Sequence, residues 1–167
     1  MNLPTAEEVI AALGLEPHPL EGGFFRETYR TSQTMHGQER ALKTAIYYLL
    51  TPQNCSMMHR LPGDEMFHFY LGDPVEMLQL YPDGRSALFT LGPDLAAGQH
   101  VQLLVPSGVW QGMRLIGDGG KATRIVHAGT WIDRNDELVR LHPHNFQALM
   151  PGAAELAQAP KSTRTEA

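Results

Sequence analysis

An antiparallel all-β sandwich or barrel, led by one short helix, is the fold class this sequence predicts, and three observations carry it. Nine short runs dense in β-branched, aromatic and aliphatic residues follow residue 23, at 24–30, 44–50, 55–60, 65–71, 75–81, 86–91, 100–105, 110–116 and 122–128. Gly, Pro and Asp punctuate them about every eight to twelve residues, the rhythm of strands joined by tight turns. No helix-length periodic segment interrupts them, which argues against a parallel sheet built from β-α-β units.

The elements follow in order. Thr5 with Glu8 three residues later forms a capping box, Val9, Ile10 and Leu13 share one helical face, and Gly14 supplies a left-handed stop. A loop rich in Pro, His and Gly spans 16–23. The strand runs then begin, and Pro82-Asp83-Gly84 between two of them is a strong hairpin turn. Residues 144–150 suggest one short helical turn. Residues 151–167 hold few large apolar groups, too little burial to offset the entropy of ordering them. The expected organisation is a single domain over residues 1–150 with a flexible C-terminal tail over 151–167.

At 167 residues the chain is long enough for one domain with a sizeable core and short for two. Net charge is -5, and the thirteen Lys and Arg residues are scattered, so no basic stripe offers itself to nucleic acid. No apolar run approaches the ~20 residues of a membrane span. The lone Cys55 excludes an intramolecular disulfide, and the first residues lack the basic and apolar regions of a signal peptide. A cytoplasmic protein is expected.

Two segments carry the chemistry. His59-Arg60-Leu61-Pro62-Gly63-Asp64-Glu65 runs on to Gly72, and Pro106-Ser107-Gly108-Val109-Trp110-Gln111 follows about forty residues after the first. They resemble the two motifs of the cupin metal site, with two substitutions. His59 and Glu65 stand where the first motif has a His and a Glu, but Leu61 stands in the place of its second His. Gln111 stands in the place of the His that closes the second motif. The resemblance implies a cupin-type double-stranded β-helix, a jelly-roll barrel with the site inside it. The strings Glu21-Gly-Gly-Phe-Phe-Arg-Glu-Thr-Tyr-Arg30, Asp64-Glu-Met-Phe-His-Phe-Tyr-Leu-Gly-Asp73 and Val105 to Gln111 are similar to a branch of small cupins labelled only as a domain of unknown function. That likeness covers about residues 5–130, and members of the branch are often dimeric.

A fainter likeness adds chemistry. Gly23-Phe24-Phe25-Arg26-Glu27-Thr28-Tyr29 resembles a stretch of the dTDP-4-keto-6-deoxyhexose 3,5-epimerases, jelly rolls that need no metal. Here Gly22 or Gly23 replaces that stretch's leading Arg, and the epimerases' Leu-His-Tyr-Gln motif is not seen. The match supports common architecture more than common substrate.

The candidate catalytic pair is His59 and Glu65. A carboxyl buried in an apolar barrel has a raised pKa and a histidine titrates near neutrality, which suits proton abstraction next to a carbonyl. As metal ligands, His59, Glu65 and Gln111 form a poor cage, because a neutral amide oxygen is a weak donor. No cofactor is expected, with a divalent transition metal as the alternative. Candidate ligand-binding residues are Arg26, Tyr47, Gln79, Gln111 and His68. Arg26 would anchor a carboxylate or phosphate if it points into the barrel mouth. Tyr47 and Tyr48 face opposite ways, so one reaches the cavity, and Tyr47 is assigned to it. Gln79 shares a face with Val75 and Met77, and Gln111 is preferred over Trp110 as the inward residue. Strand parity puts His68 on the face opposite Glu65 unless a bulge intervenes. His18, His36, His127, His142 and His144 sit in loops or near the end and receive no role.

No nucleophile elbow, phosphate loop or Cys pair is present. Cys55 is expected to be a small buried hydrophobe, about 13 Å along the strand from His59. The reading is a small-molecule-binding barrel, most simply a metal-independent isomerase or epimerase acting on a small polar, sugar-like carbonyl compound. A non-catalytic binding barrel and a metal-dependent lyase or dioxygenase stay open. The expected partners are a small-molecule ligand and a second copy in a homodimer, with neither nucleic acid nor membrane.

Overall fold

The computed structural model describes residues 3–34, 41–116, 124–126 and 137–138. The turn expected at 144–150, the tail at 151–167, and His36, His127, His142 and His144 lie outside the described residues. Helix α1 (Ala6–Leu13) begins at the Thr5 cap, where both halves of the capping box form. It ends at Gly14, whose φ of 59° a side chain would strain.

Among the described residues eleven strands follow: β1 (Glu16–Pro17), β2 (Phe24–Arg30), β3 (Thr44–Leu50), β4 (Ser56–Arg60), β5 (Glu65–Leu71), β6 (Val75–Leu80), β7 (Ser86–Leu91), β8 (Gln102–Val105), β9 (Trp110–Leu115), β10 (Arg124–Val126) and β11 (Glu137–Leu138). They form two antiparallel sheets, one ordered β1-β2-β3-β10-β5-β8 and the other β11-β4-β9-β6-β7. Each expected run up to residue 116 becomes a strand, trimmed by a residue or two at some ends, and the run at 122–128 is described as a strand over 124–126. The short pairings β1 and β11 were not expected, because neither has enough residues to show a period.

The sheets bury one face of β3, β5, β6, β8 and β9 between them. Ile46, Tyr48 and Leu50 of β3, Phe67 and Phe69 of β5, Val75 and Met77 of β6, and Met113 of β9 belong to this interior, with Leu103 and Val105 closing it from β8. A second cluster lies on the other side of the six-stranded sheet. There Ala6, Val9 and Leu15 of the helical arm pack with Leu49, and Phe24, Tyr47 and Leu71 complete the contact. β3 is therefore covered on both faces, which is why its sequence alternates so little between apolar and polar.

The two motif segments are bound to one another. The Ser107 N–H donates to Asp64 Oδ1 (2.8 Å), the Ser107 hydroxyl to the Pro62 carbonyl (2.9 Å), and the Gly108 N–H to the Leu61 carbonyl (2.8 Å). These bonds set the starts of β5 and β9 side by side. Among the described residues no helix is long and apolar enough to cross a membrane.

The helix cap offers a direct check of the N-terminal arm. Thr5→Ala is expected to cost about 1 kcal/mol in urea unfolding, and Thr5→Ser to recover most of it.

Candidate functional site

Strand register assembles the site. On the inner face of the second sheet, His59 of β4 pairs with Gln111 of β9, and Gln111 pairs with Gln79 of β6. The three polar side chains therefore form one row across three strands. Glu65 opens β5 in the opposing sheet, and Gln111 Nε2 donates to its Oε2 at 2.5 Å. Exposure is 1% or less for His59, Glu65, Gln79 and Gln111.

Gln79 is spent on holding the walls. Its Nε2 donates to the Leu104 carbonyl of the opposing sheet (3.1 Å), and its Oε1 accepts from the Tyr81 hydroxyl (2.7 Å). Gln111 differs, since its Oε1 is buried with no hydrogen-bond partner among the described residues. A buried amide oxygen left so is costly unless a ligand or proton donor meets it.

His59 also brings a second carboxylate to the site. Its Nδ1 donates to the Met57 carbonyl (2.7 Å), and its Nε2 stands 3.6 Å from Glu21 Oε2. Glu21 comes from the loop at 16–23, where the sequence offered only the Gly22-Gly23 pair beside it as a signal. That pair has φ of 87° and 70°. A Cβ on Gly22 would collide with the Cys55 carbonyl, and one on Gly23 would lie 2.8 Å from the Leu49 carbonyl oxygen. Only glycines let this loop press against the barrel and leave Glu21 3% exposed.

A narrow cleft joins these groups, lined by Glu21, Ile46, Tyr48, Ser56, Glu65, Phe67 and Met113. Its walls leave no water-sized space between them. Neither Lys nor Arg is among these lining residues. The Tyr48 hydroxyl donates to the Gly22 carbonyl (2.7 Å). Burial, and then the charge of Glu21, push its pKa well above the usual phenol value, while the neighbouring Ser56 hydroxyl pulls slightly the other way. Tyr48 is thus a persistent proton donor. The Cys55 thiol is half-buried and also pushed up by burial, which fits a packing role.

Three sequence candidates lie elsewhere. Arg26 and Tyr47 are register partners and so share a face. Ile46 and Tyr48 occupy the inner face, so Arg26 and Tyr47 are both outside. Arg26 is exposed, with its guanidinium 5.8 Å from the Tyr47 ring centroid, and Tyr47 packs in the cluster beneath α1. The inward tyrosine is Tyr48, not Tyr47. β5 keeps regular alternation through residue 70, so His68 faces outward, stacked on Tyr70 and accepting from Gln102 Nε2 at 3.3 Å. The residues missed were Glu21, Tyr48, Ser56 and His18, which lies 3.9 Å from Glu21.

Of the donors proposed for a metal, His59 gives its Nδ1 proton to a backbone carbonyl and turns Nε2 toward Glu21 at 3.6 Å, while the Gln111 amide N–H is given to Glu65. Among the described residues no three of His, Cys, Asp and Glu gather as a metal-holding group.

Two antiparallel sheets closing on a polar cleft, with the site on strands opened by the two interlocked motif loops, define a cupin-type jelly roll. The family described as Cupin superfamily (DUF985) matches residues 7–132, and the chain belongs to it. A crystallographically determined protein of Shewanella oneidensis is similar at 33% identity over 98% of this chain and 100% of that one, with a TM-score of 0.74. A hypothetical protein from Leishmania major is 28% identical over 93% and 97% of the two chains, also at 0.74. An uncharacterised protein of Saccharomyces cerevisiae is 30% identical over 109 residues, 58% of this chain and 54% of its own length, so the chain spans about half of that curated relative. A Bacillus subtilis oxalate decarboxylase, 17% identical over 81% of this chain and 34% of its own with a TM-score of 0.54, shares the fold alone.

Tyr48 gives a pH signature with a definite sign. Below about pH 10 both folded and unfolded states keep the phenol proton. Above it the unfolded chain ionises first, so stability should fall by up to about 1.4 kcal/mol per pH unit until Tyr48 itself ionises. Urea unfolding across pH 9–11 should show that fall, and Tyr48→Phe should remove it. The same variant should cost about 1–3 kcal/mol at neutral pH, because the buried Gly22 carbonyl loses its donor.

Proposed function

We propose that this barrel is a metal-independent isomerase or epimerase of the cytoplasm, acting on a small, neutral, sugar-like carbonyl compound. One observation carries the reading: the Glu65 carboxylate, held by the Gln111 amide, opens on the same cleft as the Tyr48 and Ser56 hydroxyls. A base beside two hydroxyl donors suits removal of a proton next to a carbonyl. Glu65 takes the proton, the C–H electron pair moves toward the carbonyl oxygen, and the hydroxyls stabilise the charge that gathers there. Return of the proton to the neighbouring carbon, or to the same carbon on the opposite face, completes the isomerisation.

The charge inside the cleft supports a neutral substrate. Among the described residues two carboxylates and no Lys or Arg line it, so an anionic group would meet repulsion there. With Arg26 outside, the anchor for a carboxylate or phosphate falls away. Substrate entry requires the walls to part, and the Tyr48 hydroxyl can then exchange the Gly22 carbonyl for the substrate oxygen.

The test is solvent exchange. A panel of neutral hydroxyketones and ketoses is incubated with the protein in D2O, and loss of the signal from the C–H beside the carbonyl is followed by NMR. One compound class should exchange, and Glu65→Gln should slow it about 10²- to 10⁴-fold. Exchange in no compound, from a protein whose melting temperature still rises with one of them, would leave a non-catalytic binding barrel. Exchange that requires a stoichiometric transition metal would make this a metal-dependent enzyme instead.

We further propose a homodimer. β7 and β8 end the two sheets as described and expose Leu88 and Leu104, apolar edge residues that a second copy covers. Sedimentation equilibrium should give about twice the chain mass of 18.5 kDa.

A further inference from the structure

Glu21 is flanked by two histidines whose ring protons are placed oppositely. His59 Nδ1 lies 2.7 Å from the Met57 carbonyl, which can only accept, so Nδ1 bears a proton. A neutral His59 then presents the lone pair of Nε2 to Glu21 Oε2, 3.6 Å away. A lone pair facing a carboxylate is unfavourable and a proton held by the pair relieves it; at 3.6 Å the contact is that of an ion pair rather than of a hydrogen bond. His18 is the reverse case. Its Nδ1 accepts from the backbone N–H of Glu21 (2.9 Å) and Leu20 (3.4 Å), so its own proton sits on Nε2, 3.9 Å from Glu21 Oε1.

The loop holds Glu21 in this place before any ligand arrives. Its ends are joined by the His18 N–H to the Gly23 carbonyl (2.9 Å), and its centre is tied to β4 by the Met57 N–H to the Glu21 carbonyl (2.7 Å). The His18 ring is wedged edge-on against Phe25 at 4.6 Å and Tyr48 at 6.2 Å between centroids. Among the described residues, the ionisable groups near Glu21 include His18, His59 and Tyr48, with Cys55 and Glu65 also acting on Tyr48. Glu21 lines the same cleft as Glu65. Return of the proton on the face opposite Glu65, as an epimerisation requires, calls for a second such group.

We infer that Glu21 is the second acid–base group of this cleft, sharing one proton with His59 and oriented by His18. Its catalytic meaning rests on the proposed isomerase reading, but the shared proton does not. His18 is a positioning residue, and its contact is with Glu21.

Long-range ¹H–¹⁵N NMR of the labelled full chain tests the proton, with His18→Asn assigning the ring signals. The wild type should show His59 protonated at Nδ1, and Glu21→Gln should move its Nε2 signal. A neutral His59 protonated only at Nε2, or a signal indifferent to Glu21→Gln, overturns the inference. Should Glu21→Gln not fold, Glu21→Asp, which withdraws the carboxyl by one methylene, should move the same signal. In product formation followed by the same NMR, Glu21→Gln should lower kcat about 10²-fold with a smaller change in KM. His18→Asn keeps an acceptor for the loop N–H groups, and it should lower that kcat roughly tenfold at unchanged KM. Product formation lost in Glu65→Gln but intact in Glu21→Gln overturns this inference and leaves the reaction standing. A His59 signal that answers to Glu21 without exchange in any compound supports the shared proton and removes the reaction.

Discussion

Two carboxylates, those of Glu21 and Glu65, are buried in one cleft whose other walls include Ile46, Phe67 and Met113, and the arrangement around them follows from that burial. An ionised carboxyl taken from water costs several kcal/mol unless partners replace its hydration. Each has partners delivered by a different element. Gln111 reaches Glu65 from the opposing sheet, while His59 and His18 flank Glu21 from β4 and from its own loop. The interlocked motif loops, the glycine pair and the cross-strand row serve to keep those partners in place.

This also explains what the substitutions at the two motif positions accomplish. With Leu61 buried at 3% exposure and Gln111 donating to Glu65, the strands that resemble a metal-binding motif set an amide against a carboxylate. The barrel is unchanged by this, because the loops that join the motifs use backbone groups, Asp64 and Ser107 rather than the substituted side chains. Fold and site chemistry are therefore separable here, which is why a likeness in architecture alone says little about reaction.

Much of the fold was legible because its signals are local. The capping box, the Pro82-Asp83-Gly84 turn and the spacing of the strand runs each act within a few residues. His59, Glu65 and Gln111 were legible for a related reason, since each sits at a fixed offset in a motif loop. Tyr47 and Arg26 were misplaced because helix α1 covers the outer face of β3, burying Leu49 completely, so neither parity of that strand reads as solvent-facing. Glu21 and His18 lay in a loop with no period to read.

The sequence by itself determined the strand-rich architecture, the helix at the start, and the pair of loops between which the cavity lies, because local propensities and turn chemistry are written residue by residue. Only the tertiary structure decided which tyrosine faces inward and which carboxylate His59 meets. Those depend on register between strands far apart in the chain, and on a helix and a glycine-hinged loop that close against the barrel once it has formed.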